Sequence, residues 1–216
     1  MTVQSWAVTV ELTEDGLGLT KGNQGTSLRV SESLQITALT KITDSFENAD
    51  IGTIYLEGKK GLGVQNINLS GSKEISGKGA DQDEALVFDF TNVQASSLEL
   101  GLDKYKADKT DPVISLILSD GAGYTFTENS NNWDDYITSQ GKEKVSLNIG
   151  SLLQAEGVGQ DVRVNKMYVM ETSEHLYVTS VKFNTSAVPE PATLAFLFTG
   201  MICLRLKKDR KNLVNA

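Results

Sequence analysis

Short apolar runs that alternate with polar residues, each cut off by Gly, Asn, Asp, Ser or Thr, recur from Trp6 to Phe183. A period of two sends successive side chains to opposite faces of a strand, so each run has one face to bury. Trp6–Leu12 places Trp6, Val8 and Val10 on one face. Leu28–Leu39 continues the pattern through Leu28, Val30, Leu34, Ile36 and Ala38, and Ile51–Leu56 runs into a turn at Glu57–Gly61. Leu86, Phe88 and Phe90 repeat the alternation, as do Leu98, Leu100 and Leu102, and Val145, Leu147 and Ile149. Val113–Leu118 is nearly continuous apolar sequence, which predicts a central strand buried on both faces. Ser119–Gly123 is a tight turn that folds Tyr124–Thr127 back as a hairpin. Val162–Met170 and His175–Phe183 are expected to form another hairpin around Glu171-Thr172-Ser173. One short helix is expected at Ile149–Glu156, after Asn148 and stopped by Gly157. The pattern predicts an all-β fold, a two-sheet antiparallel β-sandwich of jelly-roll type spanning residues 1–183.

Several chemistries are excluded by what such a body contains. Cys203 is the only cysteine and lies beyond the β-rich region, which leaves that region without a disulfide framework or a thiolate metal site. His175 is the only histidine, and no Gly-x-Ser-x-Gly elbow accompanies it. Histidine zinc sites are therefore excluded, and His175 reads as a solvated turn residue rather than as the base of a Ser-His-Asp triad. Gly61-Leu62-Gly63-Val64 lacks the third glycine and the βαβ setting of a phosphate loop, so it reads as a turn. Charge is split unevenly: residues 1–187 hold 15 Lys/Arg against 26 Asp/Glu, a balance of −11. An acidic body without a basic, aromatic-interleaved patch argues against nucleic-acid binding.

Two constellations remain in the body. Asp81, Asp83 and Glu84 stand on one glycine-preceded loop, and oxygen ligands on one loop suit Ca²⁺. A solvated acidic turn fits the same residues, since the full Asp-x-Asp-x-Asp-Gly spacing is missing. No other cofactor is expected. Trp133 with Asp134 and Tyr136 offers an aromatic face for sugar C–H groups and a carboxylate for sugar hydroxyls. The tryptophan reads first, however, as an anchor that ties its loop to the core. A glycan-acting hydrolase would need two opposed carboxylates roughly 5–9.5 Å apart, a pairing that a sequence does not display.

After a short polar linker at 184–187, the chain changes character. Val188-Pro189-Glu190-Pro191 precedes an apolar run from Ala192 to Leu204, and that run is followed by Arg205, Lys207, Lys208, Arg210 and Lys211. Leu194, Phe196, Leu197, Phe198, Met201, Ile202 and Leu204 would cover every face of a helix, whereas a surface helix keeps a polar stripe. The run falls short of the ~20 residues that span a bilayer, but Leu206 and snorkelling Arg205 and Lys207 extend it. A short C-terminal hydrophobic helix in a membrane is expected, with basic residues marking the cytoplasmic side.

Motif, apolar run and basic cluster together closely resemble the PEP-CTERM sorting signal, over residues 188–211, with 212–216 as a further tail. The resemblance implies an exported protein, held in the inner membrane until exosortase reads Val188, Pro189, Glu190 and Pro191. Release to the cell envelope, surface or extracellular matrix would follow. A looser resemblance, through Gly61–Val64, Gly71–Gly77 and Asp81–Phe90, is to the extracellular β-sandwich that often precedes this signal. Such proteins often occur in strains that make exopolysaccharide. Export normally also needs an N-terminal signal peptide, and Met1–Val8 has no basic residue and no apolar core of that kind. Either the start lies upstream of Met1, which the resemblance favours, or the protein is not exported. The leading expectation is a non-catalytic surface or matrix protein associated with exopolysaccharide. The alternative is a carbohydrate-binding module using Trp133, and a hydrolase is the third reading.

Overall fold

The computed structural model describes residues 5–42, 46–65, 75–76, 84–105, 112–127, 133–141, 143–171 and 175–186. Ser5–Ser186 forms one compact unit. The sorting motif, the apolar run 192–204, the basic cluster and 212–216 all lie outside the described residues.

The chain is mostly antiparallel β-sheet. β1 (Ser5–Glu11) leads into a one-turn helix α1 (Glu14–Leu17), then β2 (Gly22–Asn23), β3 (Ser27–Ser31), β4 (Leu34–Thr40), β5 (Asp50–Ile51) and β6 (Thr53–Leu56). β7 (Leu62–Gln65), β8 (Ile75–Ser76), β9 (Ala85–Gln94), β10 (Glu99–Asp103), β11 (Pro112–Leu118) and β12 (Gly123–Thr127) follow. β13 (Ile137–Gln140), β14 (Lys144–Asn148), α2 (Ile149–Ala155), β15 (Arg163–Glu171) and β16 (His175–Ser186) complete it.

The strands form two ladders. One runs β12-β11-β15-β9-β4-β3, with β5 also on β4. The other runs β13-β14-β10-β16-β1, with β7, β6 and β2 reaching it through β16. Among the described residues the two ladders are joined at a single pair, Thr185 with Val93. The buried rows of both feed one hydrophobic cluster. Ile36 of β4, Phe88 of β9, Val169 of β15 and Ile114 of β11 meet Leu100, Leu147, Val178 and Phe183 from the other ladder. The Phe90 and Phe183 rings meet edge to face at 5.8 Å, a favoured aromatic geometry. Burying each such side chain contributes about 1.5–3 kcal/mol, so these rows supply most of the driving force.

Alternation located the strands but not always their boundaries. Leu28–Leu39 is two strands, β3 and β4, folded at Glu32-Ser33 with Ser31 opposite Leu34. The turn preserves the even numbering of the apolar residues, so the period runs through it unbroken. Gly61–Val64 contains a strand, β7, and not only a turn. Gly61, at φ 108°, lets the chain pass the Val178 carbonyl, where a Cβ would collide. β11 lies between two partners but buries one face only, and Ile117 is 40% exposed. β6, by contrast, has all four of its residues buried.

The β11–β12 hairpin forms as expected. β15 and β16 do not pair among the described residues: β15 lies between β11 and β9, whereas β16 belongs to the other ladder. α2 starts where expected because Asn148 accepts the Ser151 N–H at 2.9 Å, capping the first turn. The linker expected at 184–187 is mostly strand. Asn184, Thr185 and Ser186 continue β16 opposite Ala7, Trp6 and Ser5.

Candidate functional site

Trp133 opens a 3₁₀ turn, Trp133–Tyr136, that points its indole into the core, where it is 1% exposed. Tyr105 lies parallel to it, with centroids 6.5 Å apart. The indole N–H is buried and has no hydrogen-bond partner among the described residues. The ring is an anchor and offers no stacking face to a sugar, which corrects the surface reading of Trp133. Of the two readings of Trp133 it is the loop anchor that the structure bears out: the turn sends Asp134 to solvent and leaves Tyr136 half-buried against the core. Asp134 borders a shallow depression along β13 with Ile137, Thr138, Ser139 and Gln140.

Of the acidic loop only Glu84 is among the described residues. Asp81 and Asp83 lie outside the described residues, and Glu84 is 2% exposed. Ala85 stands opposite Met170, which brings Glu84 and the fully buried Glu171 to the same end of the β9–β15 ladder. Glu84 is therefore not a solvated loop ligand. Among the described residues no group of three or more His, Cys, Asp or Glu side chains is arranged to hold a metal ion. His175 is half-buried at the first position of β16, opposite Ser76, and not in a solvated turn.

The richer surface is one that sequence reasoning did not single out. On the side of the first ladder facing away from the core, register aligns side chains into rows across the strands. One row is Ile117, Lys166, Asp89, Gln35 and Arg29. The next is Thr125, Ser115, Tyr168, Val87, Thr37 and Ser27. The third is Thr127, Val113, Met170, Ala85, Leu39 and Ile51. The face is thus charged along one side, hydroxyl-rich in the middle and apolar along the other.

At its centre lies a cleft of about 400 Å³ lined by Thr37, Leu39, Phe46, Val87, Ile117, Lys166 and Tyr168. The 3₁₀ turn Phe46–Asn48 folds over the sheet and stacks Phe46 on Tyr168, centroids 3.9 Å apart and planes 21° from parallel. Lys166 meets Asp89 at 3.0 Å, and its ammonium also lies 6.0 Å from the Tyr168 ring centroid. The hydrogen bond from Lys166 to Asp89 holds the lysine above the usual value of 10.5, against the opposing effect of partial burial. The outward positions of β9 and β15 were legible from their alternation. Their adjacency, which assembles the rows, was not.

No protein-family model and no curated protein matches the chain. Among the described residues no helix is long and apolar enough to cross a membrane, and the run 192–204 lies outside them.

Proposed function

We propose that this chain is a non-catalytic exported protein of the cell surface or extracellular matrix. Its body is a two-sheet sandwich of jelly-roll type, delivered by a PEP-CTERM signal at residues 188–211. One observation carries the reading: Val188-Pro189-Glu190-Pro191, an apolar run and a basic cluster follow one another directly after the last strand of the β-body. Each part alone is common, but the order is specific. Exosortase is the partner that reads the motif, the apolar run is the temporary membrane anchor, and a hydrated exopolysaccharide layer is the destination. The acidic balance of the body, −11 over residues 1–187, keeps it well solvated in a hydrated polysaccharide layer.

The test is expression in an exosortase-bearing Gram-negative host behind a functional signal peptide. The unaltered chain should be shortened and leave the inner membrane, and Glu190→Ala should accumulate there unprocessed. Equal processing and location of the two proteins would refute the sorting role.

A further inference from the structure

We infer that the outer face of the β12-β11-β15-β9-β4-β3 ladder, centred on Tyr168, is a binding site for an extended neutral polysaccharide. The inference deepens the surface reading by giving the body a ligand class. Its test uses purified protein, so it stands or falls separately from sorting.

A pyranose ring has an apolar C–H face and a rim of hydroxyls. The cleft has the complementary layout. Phe46 and Tyr168 supply aromatic surface held rigid by their mutual stacking, and Val87 and Ile117 extend the apolar floor. Hydrogen-bonding groups flank it at strand spacing. Ser115 and Thr125 share a hydrogen bond of 2.9 Å on one side, and Gln35 donates to Ser27 at 2.8 Å on the other. Hydroxyls and an amide of this kind can both donate and accept, as sugar hydroxyls do.

Charge selects against ionic ligands. Among the described residues that line the cleft Lys166 is the only charged one, and Asp89 balances it at 3.0 Å, while Arg29 lies farther along the same row. A neutral chain can hydrogen-bond to both groups without breaking the pair. Six adjacent strands span roughly 24 Å, room for several sugar rings laid across them in line with the rows.

Other occupants fit less well. The face is the middle of a sheet whose main-chain groups are already paired, so no strand can be added to it. A second copy would need a broad exposed apolar patch, whereas the apolar third row is one residue wide and is interrupted by buried Ala85. Here Ile117 lies on one outer row and the 68% exposed Ile51 on the opposite one, with the hydroxyl row between them.

The test is isothermal titration of the full-length protein in detergent with cellohexaose, xylohexaose and chitohexaose, whose equatorial substituents leave flat C–H faces. Binding of at least one is expected. Tyr168→Ala should weaken it about tenfold, and Ile117→Lys, a surface change at the cleft mouth that spares the core, should also weaken it. Asp134→Ala, at the β13 depression, should leave it unchanged. Absence of binding to all three sugars overturns the inference, as does a loss at Asp134→Ala equal to that at Tyr168→Ala. Concentration-dependent self-association that Ile117→Lys abolishes would assign the face to a second copy and overturn it as well.

Discussion

Lys166 and Asp89 stand directly opposite each other on β15 and β9, and their charges meet at 3.0 Å on the outer face of the sheet. The two side chains are 37% and 40% exposed, so solvent screens much of their attraction and the pair is worth at most about 1 kcal/mol. Because the pairing raises the Lys166 pKa, its contribution is fully present below the usual lysine value of 10.5 and is lost as pH rises through the raised folded-state value. Lys166→Met should therefore lower stability slightly at neutral pH and show no deficit at strongly alkaline pH. Urea unfolding of both proteins across that range checks this. A deficit that widens with pH would contradict it.

Trp133 yields a prediction of opposite character. Its indole is buried against Tyr105, so Trp133→Ala removes a large core side chain and should cost about 3–5 kcal/mol. Trp133→Phe should cost markedly less, because it also removes a buried N–H that has no hydrogen-bond partner among the described residues. Asp134→Ala, one residue away and exposed, should fall within about 0.5 kcal/mol of the parent. Denaturant unfolding of the three variants separates an anchor from a surface platform. Near-parent stability of Trp133→Ala would restore the exposed reading.

Gly150 tests how α2 docks. The helix lies on the 3₁₀ turn Ala95–Ser97, and Gly150 donates its N–H to the Leu98 carbonyl at 2.9 Å. A Cβ at Gly150 would run into the backbone carbonyl of Ser96, which cannot swing aside as a side-chain end would. Although alanine is the better helix former, Gly150→Ala should destabilise by about 1–3 kcal/mol. A higher melting temperature for Gly150→Ala would mean that the helix docks less closely.

These cases show what a one-dimensional pattern can convey. The alternation in Leu86–Phe90 and Val145–Ile149 fixes which side chains face the core, because burying one row is what stabilises a strand. Partner choice is a different matter. Glu171 and His175 are separated by three residues, yet their strands belong to different ladders, since antiparallel neighbours in sequence need not be neighbours in a sheet. The cleft was hidden for the same reason. Phe46, Val87, Ile117 and Tyr168 come from four segments, and none looks unusual in its own run. Trp133 was legible as an anchor because a large apolar ring in a polar loop has most to gain from burial, and the structure holds it 1% exposed.

The end of β16 gives the sharpest boundary test. Asn184, Thr185 and Ser186, in sequence a polar linker, pair with Ala7, Trp6 and Ser5. The Asn184 N–H also donates to the Ser97 hydroxyl at 2.8 Å, and Thr185 opposite Val93 joins the two ladders. Each lost hydrogen bond costs about 0.5–1.5 kcal/mol net, so a chain ending at Phe183 should be less stable by roughly 2–4 kcal/mol. A chain ending at Ser186 keeps all of these bonds and should melt cooperatively at the same temperature as the full-length protein. Thermal melts of the three lengths decide the matter. If the shortest melts like the other two, the fold closes at Phe183 and the last three residues of β16 add nothing to it.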